Sequence, residues 1–196
     1  MRKKSHVLLA QYLANNNTAM NLQAHRKAFC LGSILPDMKP SFLTTKHEFQ
    51  GTFPTIQEKI CELTTEYHNN PVNDRVYFRR LGEVMHYMAD YFTFPHNSTY
   101  EGNLSEHCMY EKELKNQLKS YIKSGDADTH ASTQMRFRGL NDLFEYIQKA
   151  HKEYLQKMRN VAEDIQYIMN ICYQVFQGIL QIFAKQEQRV AVPVMI

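Results

Sequence analysis

The chain of 196 residues carries 23 basic and 20 acidic side chains, a formal net charge of +3, and is 43% hydrophobic. That length suits one domain with a real core, the composition excludes a disordered chain, and so small a charge excess does not by itself indicate nucleic acid or an anionic membrane. The four cysteines, Cys30, Cys61, Cys108 and Cys172, contain no C-x-x-C pair, which excludes a thiolate zinc finger. Met1-Arg2-Lys3-Lys4 is a basic start, but residues 7–13 are interrupted by Gln11 and run into Asn15, so they do not read as a secretory leader. No apolar run reaches the roughly 18 residues of a membrane span. The expectation is a cytoplasmic protein, or a secreted one if the chain is a processed form.

The apolar spacing is helical nearly throughout, with only 7 Gly and 6 Pro. Ser5 stands where an N-cap belongs, before Val7, Leu8, Leu9, Tyr12 and Leu13. A second helix is expected over residues 18–31, ending near Gly32. Residues 33–54 hold three prolines and read as an ordered loop. Residues 56–67 are helical again, closed by His68-Asn69-Asn70-Pro71, and residues 75–92 form the next strong helix. Residues 104–122 follow, with Ser124-Gly125-Asp126 as terminator. From Phe144 through Ile147, His151, Tyr154, Met158, Val161, Ile165 and onward to Ile182, apolar residues recur at steps of three and four. That stripe predicts a helix of forty-odd residues, packed along a bundle or bent once. Residues 190–196 are apolar, contain Pro193 and are left as a loose tail. The chain reads as one all-α domain over residues 1–196, a multi-helix bundle.

Nine histidines are present, and their placement carries the chemistry. His86 and Asp90 are four apart, which on a helix puts both side chains on one face. His96 lies just past that helix, and His107 and Glu111 repeat the spacing on the next one. Five potential N and O ligands thus fall within 26 residues. Imidazole with carboxylate is a donor set that suits zinc. The other histidines read as structural: His25 on a helix surface, His68 at a helix end, His130 in a polar loop, and His151 as a hydrogen-bonded core residue. No histidine is followed by Asp, which disfavours an HD-type phosphohydrolase.

The string H-x3-D-x5-H followed by H-x3-E resembles the zinc-dependent phospholipase C family, which shares its nearly all-helical fold with the S1/P1 nucleases. Leu81-Gly82 and Tyr87 flank the first pair much as in that family. Leu35-Pro36-Asp37-Met38-Lys39-Pro40 resembles the segment bearing its catalytic aspartate, Lys46-His47-Glu48-Phe49 supplies a further ligand histidine, and Ser5-His6-Val7-Leu8-Leu9 resembles its first helix. The resemblance covers about residues 1–115. It implies a cleft with two to three Zn2+ ions: one on His47, His86 and Asp90; one on His6, the Met1 amine and carbonyl, and a bridging Asp90; one on His96, His107 and Glu111. Asp37 would be the general base. The implied activity is hydrolysis of a phospholipid or other phosphodiester, with transient membrane contact through aromatics near Phe42, Phe49, Phe53 or Phe94. Glu111 follows the phospholipase branch. The five residues from Met1 to His6 are closer to the nuclease branch, under which nucleic acid or a 3′-nucleotide would be the substrate. A relative that binds zinc without catalysis is the remaining alternative.

Overall fold

The computed structural model describes residues 1–17, 22–38, 47–67, 73–157 and 160–191. Seven α-helices lie among them: α1 Lys3–Asn15, α2 Leu22–Gly32, α3 Phe49–Thr64, α4 Asp74–Tyr91, α5 Leu104–Ser124, α6 Leu140–Tyr154 and α7 Val161–Ala191. Short 3-10 turns at Pro36–Met38, Phe94–His96 and Asp126–Thr133 complete them. The fold is all-α.

Helix α4 is the centre. It packs against α1, α2, α3 and α7, and it is buried on most of its circumference, from Tyr77 and Phe78 to Met88 and Ala89. Asn73 starts it by accepting a hydrogen bond from the Val76 N–H, and Asp74 favours the positive end of the helix dipole. Two glycines set its contact with α2. A Cβ on Gly82 would lie 2.2 Å from the Phe29 carbonyl oxygen, and one on Gly32 would lie 2.0 Å from the Arg79 carbonyl oxygen. The two backbones therefore touch, which brings Ser33, just past α2, against the α4 turn that carries His86.

Helix α5 begins with a capping box in which Asn103 and Glu106 exchange side-chain to backbone hydrogen bonds. It ends at Gly125, whose φ of 88° admits no ordinary side chain without strain.

Several sequence expectations shift. Ser5 is not a cap: α1 starts two residues earlier, behind Arg2, and Ser5 is buried within it. Helix α3 begins at Phe49, so Pro54 lies inside a helix rather than in a loop. The forty-residue stripe is two helices. Asn160 restarts the chain by accepting from the Glu163 N–H, and Glu163 and Asp164 sit in the first turn of α7, where carboxylates are favoured. The stripe stays continuous because Ile147, His151 and Tyr154 of α6 and Val161, Ile165 and Ile168 of α7 all enter one core. Met158, the His68 segment and residues 192–196 lie outside the described residues. No helix among the described residues is long and apolar enough to cross a membrane.

Candidate metal centre

Asp90 is the hub. Its side chain is fully buried on the last turn of α4. Its Oδ2 lies 3.0 Å from His47 Nδ1 and 3.1 Å from His86 Nε2, and its Oδ1 lies 3.2 Å from His6 Nε2 and 2.5 Å from the Met1 amine. The amine also lies 2.8 Å from His96 Nε2 and 3.2 Å from Glu111 Oε1. Glu111 Oε1 is 3.2 Å from both His96 Nε2 and His107 Nε2. Asp37, in the Pro36–Met38 turn, places Oδ1 at 3.6 Å from His86 Nε2 and 3.9 Å from His47 Nδ1.

All nine residues singled out in the sequence thus come together. They form two donor groups whose ligand atoms lie within 4.8 Å of one another: Asp37, His47, His86 and Asp90, and His96, His107 and Glu111. The Met1 amine stands between the groups, and His6 stacks on His86 at 4.0 Å.

The electrostatics follow from enclosure. Burial alone would raise the Asp90 carboxyl, but His96, the Met1 ammonium, His86 and His6 outweigh it and hold Asp90 well below the usual range. Burial works against the Met1 ammonium too, yet Asp90 and Glu111 leave its pKa raised. Glu111 is likewise held down by hydrogen bonds from His107 and His96 against the pull of burial. His6 is pushed down to about 3, first by burial and then by His86, so it is neutral. Burial lowers His96 and raises Asp37.

Does this set fit a metal? His86 Nδ1 donates to the Ser33 carbonyl oxygen at 2.9 Å, which leaves a lone pair on Nε2 of the neutral ring. That lone pair faces Asp90 Oδ2 and, at 3.0 Å, His47 Nδ1. A nitrogen held beside a buried carboxylate in this way is placed to share a cation with it. His6 is buried with neither ring nitrogen hydrogen-bonded, a costly arrangement that a cation on Nε2 relieves. Imidazoles, carboxylates and an amine are donors that zinc accepts. The set fits.

A family model described as zinc dependent phospholipase C matches residues 5–161. The chain belongs to that family. Neither the curated proteins nor the solved structures yield a match. The zinc-dependent phospholipase C match spans α1 to the first residue of α7. It takes in every donor above except Met1, and it leaves out Arg2, Lys3 and Lys4.

Two lobes of a cleft open onto the donors, and both are lined by His96, Leu104 and His107. One, of about 460 Å³, is walled by neutral polar groups such as Asn97, Ser98 and Asn103, with Glu48 and His47 at its edge. The other, of about 590 Å³, reaches Met1, Asp37 and Glu111.

The aromatic docking surface expected for this zinc-dependent phospholipase C-family chain is not formed by Phe49 and Phe53. Phe53 is buried, and Phe49 stacks on His151 at 4.0 Å and on Phe53 at 4.4 Å. Phe94 is half-buried against Tyr100 and Tyr110, and Phe42 lies outside the described residues. A phenyl ring opposite an imidazole is worth more in this core than in water, and that outweighs the loop-like look of the sequence.

His151 is the hydrogen-bonded core residue expected, with Nε2 3.1 Å from Asn97 Oδ1. His25 lies at the surface over Phe78, 3.7 Å from Asp74, while His130 sits in a 3-10 turn beside the Tyr121 hydroxyl. Glu83 stands three residues before His86, the spacing of di-iron helices, but its carboxylate meets Lys59 Nζ at 3.3 Å.

Two features escape sequence reasoning. The Ser33 carbonyl is a backbone atom and leaves no signal in residue identity. Asp164, fully buried, accepts hydrogen bonds from Tyr154 Oη (2.6 Å), the Phe94 N–H (2.7 Å) and Tyr110 Oη (2.8 Å). It ties the turn bearing His96 to the helix bearing His107 and Glu111. An acid at the start of a helix is ordinary, so only its position against the Tyr154 and Tyr110 turns, unreadable without the fold, gives it away.

Proposed function

We propose that the chain is a zinc-dependent phosphodiester hydrolase of phospholipase C type, acting on a phospholipid between glycerol and phosphate. The observation that supports the reading is the convergence of His86, its ring fixed by the Ser33 carbonyl, with His47 and His6 on the buried carboxylate of Asp90. His47, His86 and Asp90 would hold one ion, His6 and the Met1 amine and carbonyl with Asp90 a second, and His96, His107 and Glu111 a third. Bound zinc supplies charge for the phosphate oxygens and acidifies water near neutral pH.

The chain's own groups do the rest. Asp37 is the base: its side chain, 9% exposed where it lines the cleft and raised by burial, accepts a proton from the attacking water beside His86 and His47. Ser33 locks the tautomer of His86, and Asp90 orients His6, His47 and His86 together. Asp164 keeps the His96 turn in register with α5.

Elemental analysis of protein purified without chelator, with hydrolysis of a short-chain phospholipid followed by phosphomonoester release, tests the reading. Two to three zinc ions per chain and turnover that a chelator abolishes are expected. Failure to retain zinc after reconstitution, or a loaded protein that cleaves no phosphoester, would overturn it.

A further inference from the structure

The two lobes of the cleft differ in charge. The larger is lined by Arg2, Lys3, Lys4 and Lys115, whereas the smaller has no Lys or Arg. Arg2 Nη2 donates to the Cys108 carbonyl at 2.8 Å, which pins that guanidinium to the wall. Lys3 and Lys4 are exposed, Lys115 is half-exposed, and no carboxylate among the described residues pairs with any of the three. The acids that line the same lobe, Asp37 and Glu111, belong to the donor groups, so bound metal cancels their charge.

The placement of these cations opposes folding. Helix α1 opens on Arg2, Lys3 and Lys4 with no acid in its first turn and no side-chain cap. Basic residues at that end work against the helix dipole. A local rule broken without a structural return points to function. Three of the four cations precede the matched family stretch.

A phosphodiester held at the donors has two substituents, and the cleft offers each a different lobe. We propose that the basic lobe is a headgroup subsite that selects glycerophospholipids with an anionic headgroup over zwitterionic ones. This rests on the phospholipase reading above. Leu104 favours a lipid as the source of the charge: it is 78% exposed and borders both lobes, an apolar contact at the cleft mouth beside the cations. Phosphatidylserine, whose carboxylate lies beyond the phosphate held at the donors, is the fitting chemistry, and choline, whose trimethylammonium would meet three lysines, is not.

The test uses the zinc-loaded full chain and dihexanoyl phospholipids below their micelle concentration, so that headgroup reading is separated from surface docking. The expected kcat/KM for phosphatidylserine exceeds that for phosphatidylcholine by roughly tenfold at low salt, the scale of a few solvent-screened charge pairs. The ratio should fall toward unity in Lys3→Gln/Lys4→Gln/Lys115→Gln and in high salt. Equal or faster cleavage of phosphatidylcholine, or an unchanged ratio in the triple variant, would sink the subsite. A second arm measures, by calorimetry on the same protein, binding of phosphoserine and phosphocholine, the headgroup phosphates themselves. Tighter phosphoserine binding that the triple variant loses supports the subsite even where no lipid is cleaved, an outcome that would overturn the hydrolase reading alone. Equal affinities overturn the subsite even where lipids are cleaved.

Discussion

Asp37 and Asp90 are both carboxylates among the same histidines, yet enclosure gives them different work. Asp90 is fully buried, but the Met1 ammonium and the histidines around it hold it well below the usual range; Asp37 touches the cleft and is raised by burial. Asp37→Asn is expected to lower kcat by about 10²- to 10⁴-fold, the scale of a lost general base. Zinc content and thermal stability should stay as in the parent, and loss of one ion with the turnover would instead make Asp37 a ligand. His86→Ala, by contrast, should cost the ion shared with His47 and Asp90, read by elemental analysis. Asp164 answers to a third environment. Three donors converge on it, so Asp164→Asn should destabilise the fold by on the order of 2–3 kcal/mol in denaturant melts. It should also weaken zinc retention at His96, His107 and Glu111 before it touches the His47 and His86 group.

At the scale of elements, the approach of α2 to α4 decides whether the site assembles. Gly82→Ala would drive a methyl into the Phe29 carbonyl, with Ser33 N 2.9 Å away, and neither is a flexible side-chain end. The expected cost is on the order of 2–3 kcal/mol of stability, with weaker zinc binding because the Ser33 carbonyl moves off His86. A variant with unaltered zinc affinity would show that Ser33 does not orient the ring. This contact was invisible in the sequence, where Gly82 was only a flanking residue. What was legible had local causes: the i, i+4 pairs of α4 and α5, the start of α5 at Leu104, and the Gly125 stop. What was not legible had tertiary causes. Ser5 has the chemistry of a cap but is buried, because α1 is placed by His6 and Met1 against Asp90. The apolar stripe of α6 and α7 has the right period for one helix, which periodicity alone cannot distinguish from two helices facing one core.

For the whole molecule, buried histidines set the response to acid. His151 is pushed down to about 4 by burial, against an ordinary value of 6.5. Between those values the unfolded chain binds the proton and the folded one does not, so stability is present above pH 6.5 and is lost as pH falls toward 4. The loss from this residue should be on the order of 2–3 kcal/mol, at about 1.36 kcal/mol for each tenfold change in proton affinity. Asp164 runs the other way. Its carboxyl is raised by burial to about 6 from 3.8, so the folded state binds the extra proton and gains stability as pH falls through that window. His6, pushed down to about 3, adds a loss of the same sign, so urea melts of chelated protein from pH 7 to 4 should show a net loss steeper than His151 alone gives, with Asp164 offsetting part of it. His151→Gln should lessen the loss while the His6 share remains, and an unchanged slope would place the acid response elsewhere.

The Met1 ammonium lies among Asp90, His96 and Glu111, a proton-bearing cation lodged between two groups of metal donors. That ammonium offsets the charge of two neighbouring carboxylates, Asp90 and Glu111. Loading is then an exchange, ion in and proton out, rather than a filling. Zinc uptake by the chelated chain should acidify a weakly buffered solution and strengthen with pH.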